Sequence, residues 1–69
     1  MKVRDAARLI GKPAMWVMLG LRQEKLPIGC AVLGEGGRWS YDIRPERLAQ
    51  YMGITTDELW DRLGEEEIA

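Results

Sequence analysis

Apolar positions near the start of the chain repeat with the spacing of an amphipathic helix. The repeat follows the i, i+3, i+4, i+7 pattern and consists of Val3, Ala6, Ala7 and Ile10. Gly11 is typical of a helix end, while Pro13 stops continuation and suits the first turn of a new helix. The pattern therefore predicts two helices joined by a short turn, the second running from about Pro13 to Lys25.

A β-hairpin is predicted after the second helix, which Leu26-Pro27 closes. Residues 28–33 form a β-rich run, 34–37 a Gly-rich turn, and 38–43 an alternating strand. Trp39, Tyr41 and Ile43 share one face of that strand. Because an isolated hairpin is marginally stable in water, this face is expected to pack on the helices.

Two more helices are predicted in the C-terminal third. The first begins at Pro45, has Leu48, Tyr51 and Met52 as its apolar stripe, and stops at Gly53.

The fourth helix has a complete start signal. Thr55 and Glu58 have capping-box spacing, and Ile54 and Leu59 occupy the positions of a hydrophobic staple. Its predicted inner face consists of Leu59, Trp60 and Leu63. Gly64 is expected to end it, which leaves a domain over 1–64 and an acidic, flexible tail over 65–69.

Charge is divided unevenly along the chain. Residues 1–47 carry nine Lys and Arg against five Asp and Glu, a net of +4, whereas 48–69 carry one Arg against six acids, a net of −5. This asymmetry favours two surfaces with different partners, although an ordinary surface with an acidic solubilising tail is the simpler interpretation.

The residue inventory excludes most catalytic and metal chemistry. There is no His, so the commonest general base and zinc ligand are missing. Cys30 is the only cysteine and is expected to be a small core residue. The longest apolar stretch, 14–21, is too short to span a bilayer. We therefore expect a cytoplasmic protein with no enzymatic activity, no cofactor, no metal and no membrane contact.

Three stretches of the chain resemble the excisionase/MerR-like DNA-binding domains of phages and conjugative elements. These are VRDAARLIGKP (3–13), GLRQEKLPIGCAV (20–32) and GRWSYDIRPERLAQYMG (37–53). The resemblance covers about three quarters of the chain. It implies an α+β fold, mainly helical: a winged helix-turn-helix with a two-stranded β-hairpin wing and a C-terminal helix pair.

The resemblance also implies double-stranded DNA as the partner, with the second helix in the major groove and the hairpin on the neighbouring backbone or minor groove. Such proteins recruit an integrase, bend DNA at attachment sites or regulate transcription, and a homodimer or cooperative array is expected. Arg22 is the best candidate to read a base or clamp a phosphate. The residues predicted to face DNA are Lys12, Ala14, Met15, Met18, Arg22, Lys25 and Arg38.

One departure from the family favours a different function. Members commonly place a basic residue where this chain has Met18, and the second helix is apolar nearly all round. The chain could instead be a protein-interaction module, an antirepressor or adaptor, with Trp16, Leu19 and Trp60 at the interface. A third interpretation is that Trp16 and Met18 simply fill the core under the hairpin.

Overall fold

Four α-helices and one antiparallel hairpin make up the part of the chain that the structure describes, which is residues 1–68 with side chains for 1–64. In the computed structural model the elements are α1 (Val3–Ile10), α2 (Ala14–Arg22), β1 (Gly29–Leu33), β2 (Trp39–Ile43), α3 (Pro45–Met52) and α4 (Thr56–Ile68). The predicted α+β class is thereby confirmed. Across residues 1–68 no helix combines the length and the apolar character that crossing a bilayer requires.

Helices α1 and α3 both end at a glycine in the left-handed region. Gly11 has φ 82° and Gly53 has φ 73°, and each donates its backbone N–H to a carbonyl in the last turn of the helix before it. Glycine adopts this conformation without the steric cost that a Cβ would add. Both predicted helix ends are confirmed.

Helix α2 is shorter than predicted and ends at Arg22, not at Lys25. Its carboxyl end is closed by the Gly20 carbonyl, which accepts the N–H groups of Lys25 at 2.9 Å and Leu26 at 3.2 Å. Glu24 adopts a left-handed φ of 57° to make this turn. The reversal buries Leu26 against Gly20, so core packing ends the helix before Lys25. Pro13 is the N-cap of α2 and lies just outside the helix.

The hairpin pairs Gly29 with Ile43 and Leu33 with Trp39, and its tip is a 3-10 turn over Glu35–Gly37. Both strands begin one residue later than predicted. A Cβ on Gly29 would collide with the Asp42 carbonyl oxygen and lie 2.9 Å from Ile43 Cα. Only glycine lets the two strands approach this closely here.

The two faces of the hairpin differ in burial. Ile43 is buried and Tyr41 half-buried, whereas Trp39 lies at the outer end with 36% of its surface exposed. The prediction that Cys30 is a core residue is wrong, because Cys30 is exposed. It pairs with Asp42, and residues paired across antiparallel strands project from the same face, here the outer one.

A single hydrophobic cluster joins the helices and the inner face of the hairpin. Helix α1 packs against α2 and α4, while α2 also packs against β1 and α3 against α4. The cluster consists of Ala6, Ala7, Val17, Leu21, Leu26, Ile28, Ile43, Leu48, Ala49 and Leu59. No polar or charged side chain within 1–64 is buried.

Two aromatic residues predicted for the core lie on the surface. Tyr51 of α3 is 47% exposed and Trp60 of α4 is 48% exposed. Ala49 takes the buried place on α3, and Leu59 and Leu63 are the buried residues of α4 up to Gly64.

The start of α4 matches the prediction, and its end does not. The Thr55 hydroxyl accepts the Glu58 N–H at 3.2 Å, as a capping residue should. The helix continues past Gly64 to Ile68, so the prediction that Gly64 ends it is wrong. The predicted flexible acidic tail falls on residues 65–69, outside the fully described part of the chain.

Candidate nucleic-acid interface

Arg22, the last residue of α2, is held against the hairpin. Its Nε donates a hydrogen bond to the Tyr41 hydroxyl at 2.7 Å. Its guanidinium carbon lies 4.9 Å from the centre of the Trp39 ring and 5.7 Å from that of Tyr41. These distances are those of cation–π contacts. Sequence reasoning placed Arg22 on the outward side of α2, whereas the structure joins it to the aromatic face of β2.

A shallow basic hollow lies at the other end of α2. It has a volume of about 440 Å³ and is lined by Arg4, Ala7, Arg8, Gly11, Lys12, Pro13 and Ala14. No acidic residue lines it. Pro13 supplies no side-chain cap to the first N–H groups of α2, and helix amino ends attract anions. Lys12 and Ala14, both predicted to face DNA, therefore lie together at this positively charged end.

The outward face of α2 is apolar. Met15 is 55% exposed, Trp16 40% and Leu19 42%, while Met18 is half-buried. The interpretation that Trp16 fills the core under the hairpin is therefore wrong. Lys12 partly covers the Trp16 ring, with its Nζ 5.7 Å from the ring centre.

An apolar groove adjoins this face. Its volume is about 380 Å³, and it is lined by Trp16, Leu19, Gly20, Gln23, Lys25, Leu26 and Tyr51. Lys25, predicted to flank the DNA-reading helix, instead lies beside this groove after the turn that ends α2.

Tyr51 is a surface residue that sequence reasoning missed. The burial of Leu48, Ala49 and Met52 defines the inner face of α3. At about 100° per residue, Tyr51 lies roughly 110° from the centre of that face. The sequence does contain a signal for this exposure: Ala49 is apolar and adjacent to Leu48, so these two residues can form the buried face in place of Tyr51.

Arg38 is exposed at the base of the hairpin tip. Its carbonyl accepts the Gly34 N–H at 2.8 Å, which fixes the backbone on both sides of the turn. Within residues 1–64 its guanidinium has no ion-pair partner, whereas Arg44 pairs with Asp42 at 3.1 Å. Arg38 therefore offers a positive charge at a position set by the hairpin.

No acidic residue lies between Ala6 and Gln23. This stretch spans most of α1 and all of α2, and it carries Arg8, Lys12 and Arg22. The acids Asp57, Glu58 and Asp61 are on α4, which packs against α1 and α3. These three acids are thus on a different helix from Arg8 and Arg22.

In the described part of the chain, no three His, Cys, Asp or Glu side chains come together in a group that could hold a metal ion. No known protein family, curated protein or solved structure matches this chain.

Proposed function

We propose that this chain is a winged helix-turn-helix DNA-binding protein of the excisionase/MerR-like kind. In this proposal α2 enters the major groove and the β1–β2 hairpin is a wing on the adjacent backbone or minor groove. The protein would direct recombination or regulate transcription in a mobile element, without catalytic activity of its own.

The observation that carries the proposal is the acid-free run from Ala6 to Gln23, which spans most of α1 and all of α2 and places Lys12 and Arg22 near the two ends of α2. At about 1.5 Å per residue, α2 is about 13 Å long, close to the roughly 12 Å width of the B-DNA major groove. Lys12 and Arg22 could therefore reach opposite strands across the groove. Arg38 would extend the same contact through the wing.

The arrangement also explains how a chain of net charge −1 could bind a polyanion. Phosphates respond to the nearby charges because salt screens distant ones, over about 8 Å at physiological ionic strength. The acids of α4 would then face away from DNA and keep the remaining surface negative.

An anisotropy titration with labelled duplex tests this proposal. The duplexes span the DNA that flanks the protein's own coding sequence, with a composition-matched scrambled duplex as control. If Lys12, Arg22 and Arg38 each neutralise one phosphate, affinity should fall about 40-fold between 50 and 200 mM salt. Binding that also favours one duplex over the scrambled control would support sequence recognition, and no binding at 50 mM salt would refute the proposal.

The exposed apolar face favours a second candidate, a protein-interaction module such as an antirepressor or adaptor. Met15, Trp16 and Leu19 continue into the groove beside Tyr51, and exposed Met and aromatic residues are enriched at protein interfaces. The partner would be an integrase, another protein of the same element, or a second copy of this chain.

Leu19→Lys separates the two candidates, because Leu19 is exposed and its replacement leaves the core intact. If α2 faces DNA, the added charge should tighten binding to any duplex and steepen the salt dependence by about one phosphate contact. If α2 faces a protein, the variant should lose its partner in a pull-down and leave DNA affinity unchanged. Met15→Ala is the size-reducing control without a new charge.

A further inference from the structure

We infer that Tyr41 and Trp39 are positioning residues, which hold the Arg22 guanidinium ready to bind a pair of acceptor atoms on DNA. The inference rests on the proposed function and identifies the residues that would orient the contact between Arg22 of α2 and DNA. It concerns the hairpin's inner aromatic face, which a simple backbone-contacting wing would not need.

The geometry leaves the far edge of the guanidinium open. Arginine has five N–H donors in one plane, one on Nε and four on the two terminal nitrogens. The Nε donor is used by the Tyr41 hydroxyl at 2.7 Å, and the Trp39 ring packs 4.9 Å from the guanidinium carbon. Among side chains of residues 1–64, no acceptor contacts either terminal nitrogen. Arg22 is nevertheless exposed, so these four donors are accessible.

Preorganisation is the advantage of this arrangement. A free arginine side chain loses much rotamer freedom when it binds, and that loss weakens the contact. Here the hydrogen bond to Tyr41 and the contact with the Trp39 ring restrain the guanidinium before DNA arrives. An arginine restrained in this way binds a matching pair of acceptors more tightly than a mobile one, and rejects acceptors that are misplaced.

Two sources on DNA provide paired acceptors in this geometry. One is the O6/N7 edge of a guanine in the major groove, and the other is a phosphate group. Both accept the two parallel N–H groups of a guanidinium. A guanine contact would specify sequence, whereas a phosphate contact would position the protein.

A double-mutant cycle on Arg22 and Tyr41 tests the inference. Tyr41→Phe removes the acceptor for Nε and keeps the ring, Arg22→Ala removes the guanidinium, and the third variant carries both changes. Thr56→Ala is the control for loss of a hydroxyl, because Thr56 is on α4 and its hydroxyl makes no hydrogen bond within residues 1–64. Affinity for the preferred flanking duplex is measured for each variant, and thermal unfolding confirms that each is folded.

We expect Tyr41→Phe to weaken binding about fivefold and Arg22→Ala about 30-fold. In the Arg22→Ala background, Tyr41→Phe should have no further effect, because Tyr41 acts only through Arg22. Arg22→Lys keeps the positive charge and loses the paired N–H donors of the guanidinium, so it should also weaken binding without changing the salt dependence. This variant provides a second route if Tyr41→Phe fails to fold.

The inference is overturned if Tyr41→Phe binds like the unaltered protein, or if its effect is the same with and without Arg22. These results leave the proposed function standing. Failure of the unaltered protein to bind any duplex overturns the proposed function, and this inference with it. Replacing guanine by 7-deazaguanine, which lacks N7 and keeps O6, identifies the source: it reduces the Arg22→Ala effect for a guanine contact and leaves it intact for a phosphate contact.

Discussion

Arg22 and Tyr41, 19 positions apart in the chain, are joined by a 2.7 Å hydrogen bond from the Arg22 Nε to the Tyr41 hydroxyl. This bond connects the end of α2 to the middle of β2, so the hairpin and the helix present one surface. A partner that binds α2 therefore meets Arg22 in an orientation set by the hairpin.

Arg38→Ala should weaken DNA binding to all sequences by a similar factor, about three- to tenfold, and reduce the salt dependence by about one phosphate contact. The reason is that Arg38 is exposed and free of ion pairs within residues 1–64. Anisotropy titrations over a salt series measure both effects. Arg62→Ala on the acidic α4 is the matched control, and an equal loss in both variants would contradict a role for the hairpin.

Leu59→Ala should lower the free energy of unfolding by about 2–5 kcal/mol, because it leaves a cavity in the core. Leu59 is fully buried, whereas the adjacent Trp60 is 48% exposed. Trp60→Ala should therefore cost less than about 1 kcal/mol despite the larger side chain removed. Urea unfolding of the two variants measures the difference, and the reverse order would place Trp60 in the core after all.

Thr55→Ala should destabilise the protein by about 1 kcal/mol, since the Thr55 hydroxyl accepts the Glu58 N–H at the start of α4. Thr56, the first residue of α4, makes no such bond in the described structure. Thr56→Ala should consequently be neutral or slightly stabilising. Thermal unfolding of both variants is the measurement, with equal effects arguing against the cap.

Gly29→Ala should disrupt the hairpin, because the new Cβ would collide with the Asp42 carbonyl oxygen on the paired strand. Nothing lies within 4 Å of a Cβ on Gly64, which is inside α4. Gly64→Ala should stabilise the helix by about 0.5–1 kcal/mol. A stable, well-folded Gly29→Ala variant would show that the strands separate at little cost.

The local signals in the sequence predicted most elements of the fold. Gly11 and Gly53 marked helix ends, the alternation at 38–43 marked a strand, and the Thr55 capping box marked the start of α4. Each of these signals depends on residues within one turn or one strand, so tertiary packing did not alter the result.

The errors arose where tertiary packing decides the outcome. The turn that ends α2 before Lys25 depends on Leu26 packing against Gly20, and no local pattern in the sequence reveals that contact. The run 29–33 contains no charged or strongly polar residue to mark its outer face, so the position of Cys30 followed only from its pairing with Asp42.

For the candidate site, residue types were predictable and their arrangement was not. The sequence identified Lys12, Arg22 and Arg38 as the cations to consider. It did not indicate that Arg22 contacts two aromatic rings, because contacts between α2 and β2 depend on how the hairpin folds back.

The three tryptophans give each surface its own optical reporter. Trp16 is on the apolar face of α2, Trp39 lies under Arg22 on the hairpin, and Trp60 is on the acidic α4; all are at least 36% exposed. Variants that retain one tryptophan at a time would each emit from one known location. Shielding of that emission from acrylamide by an added partner would then show directly which side of the molecule the partner covers.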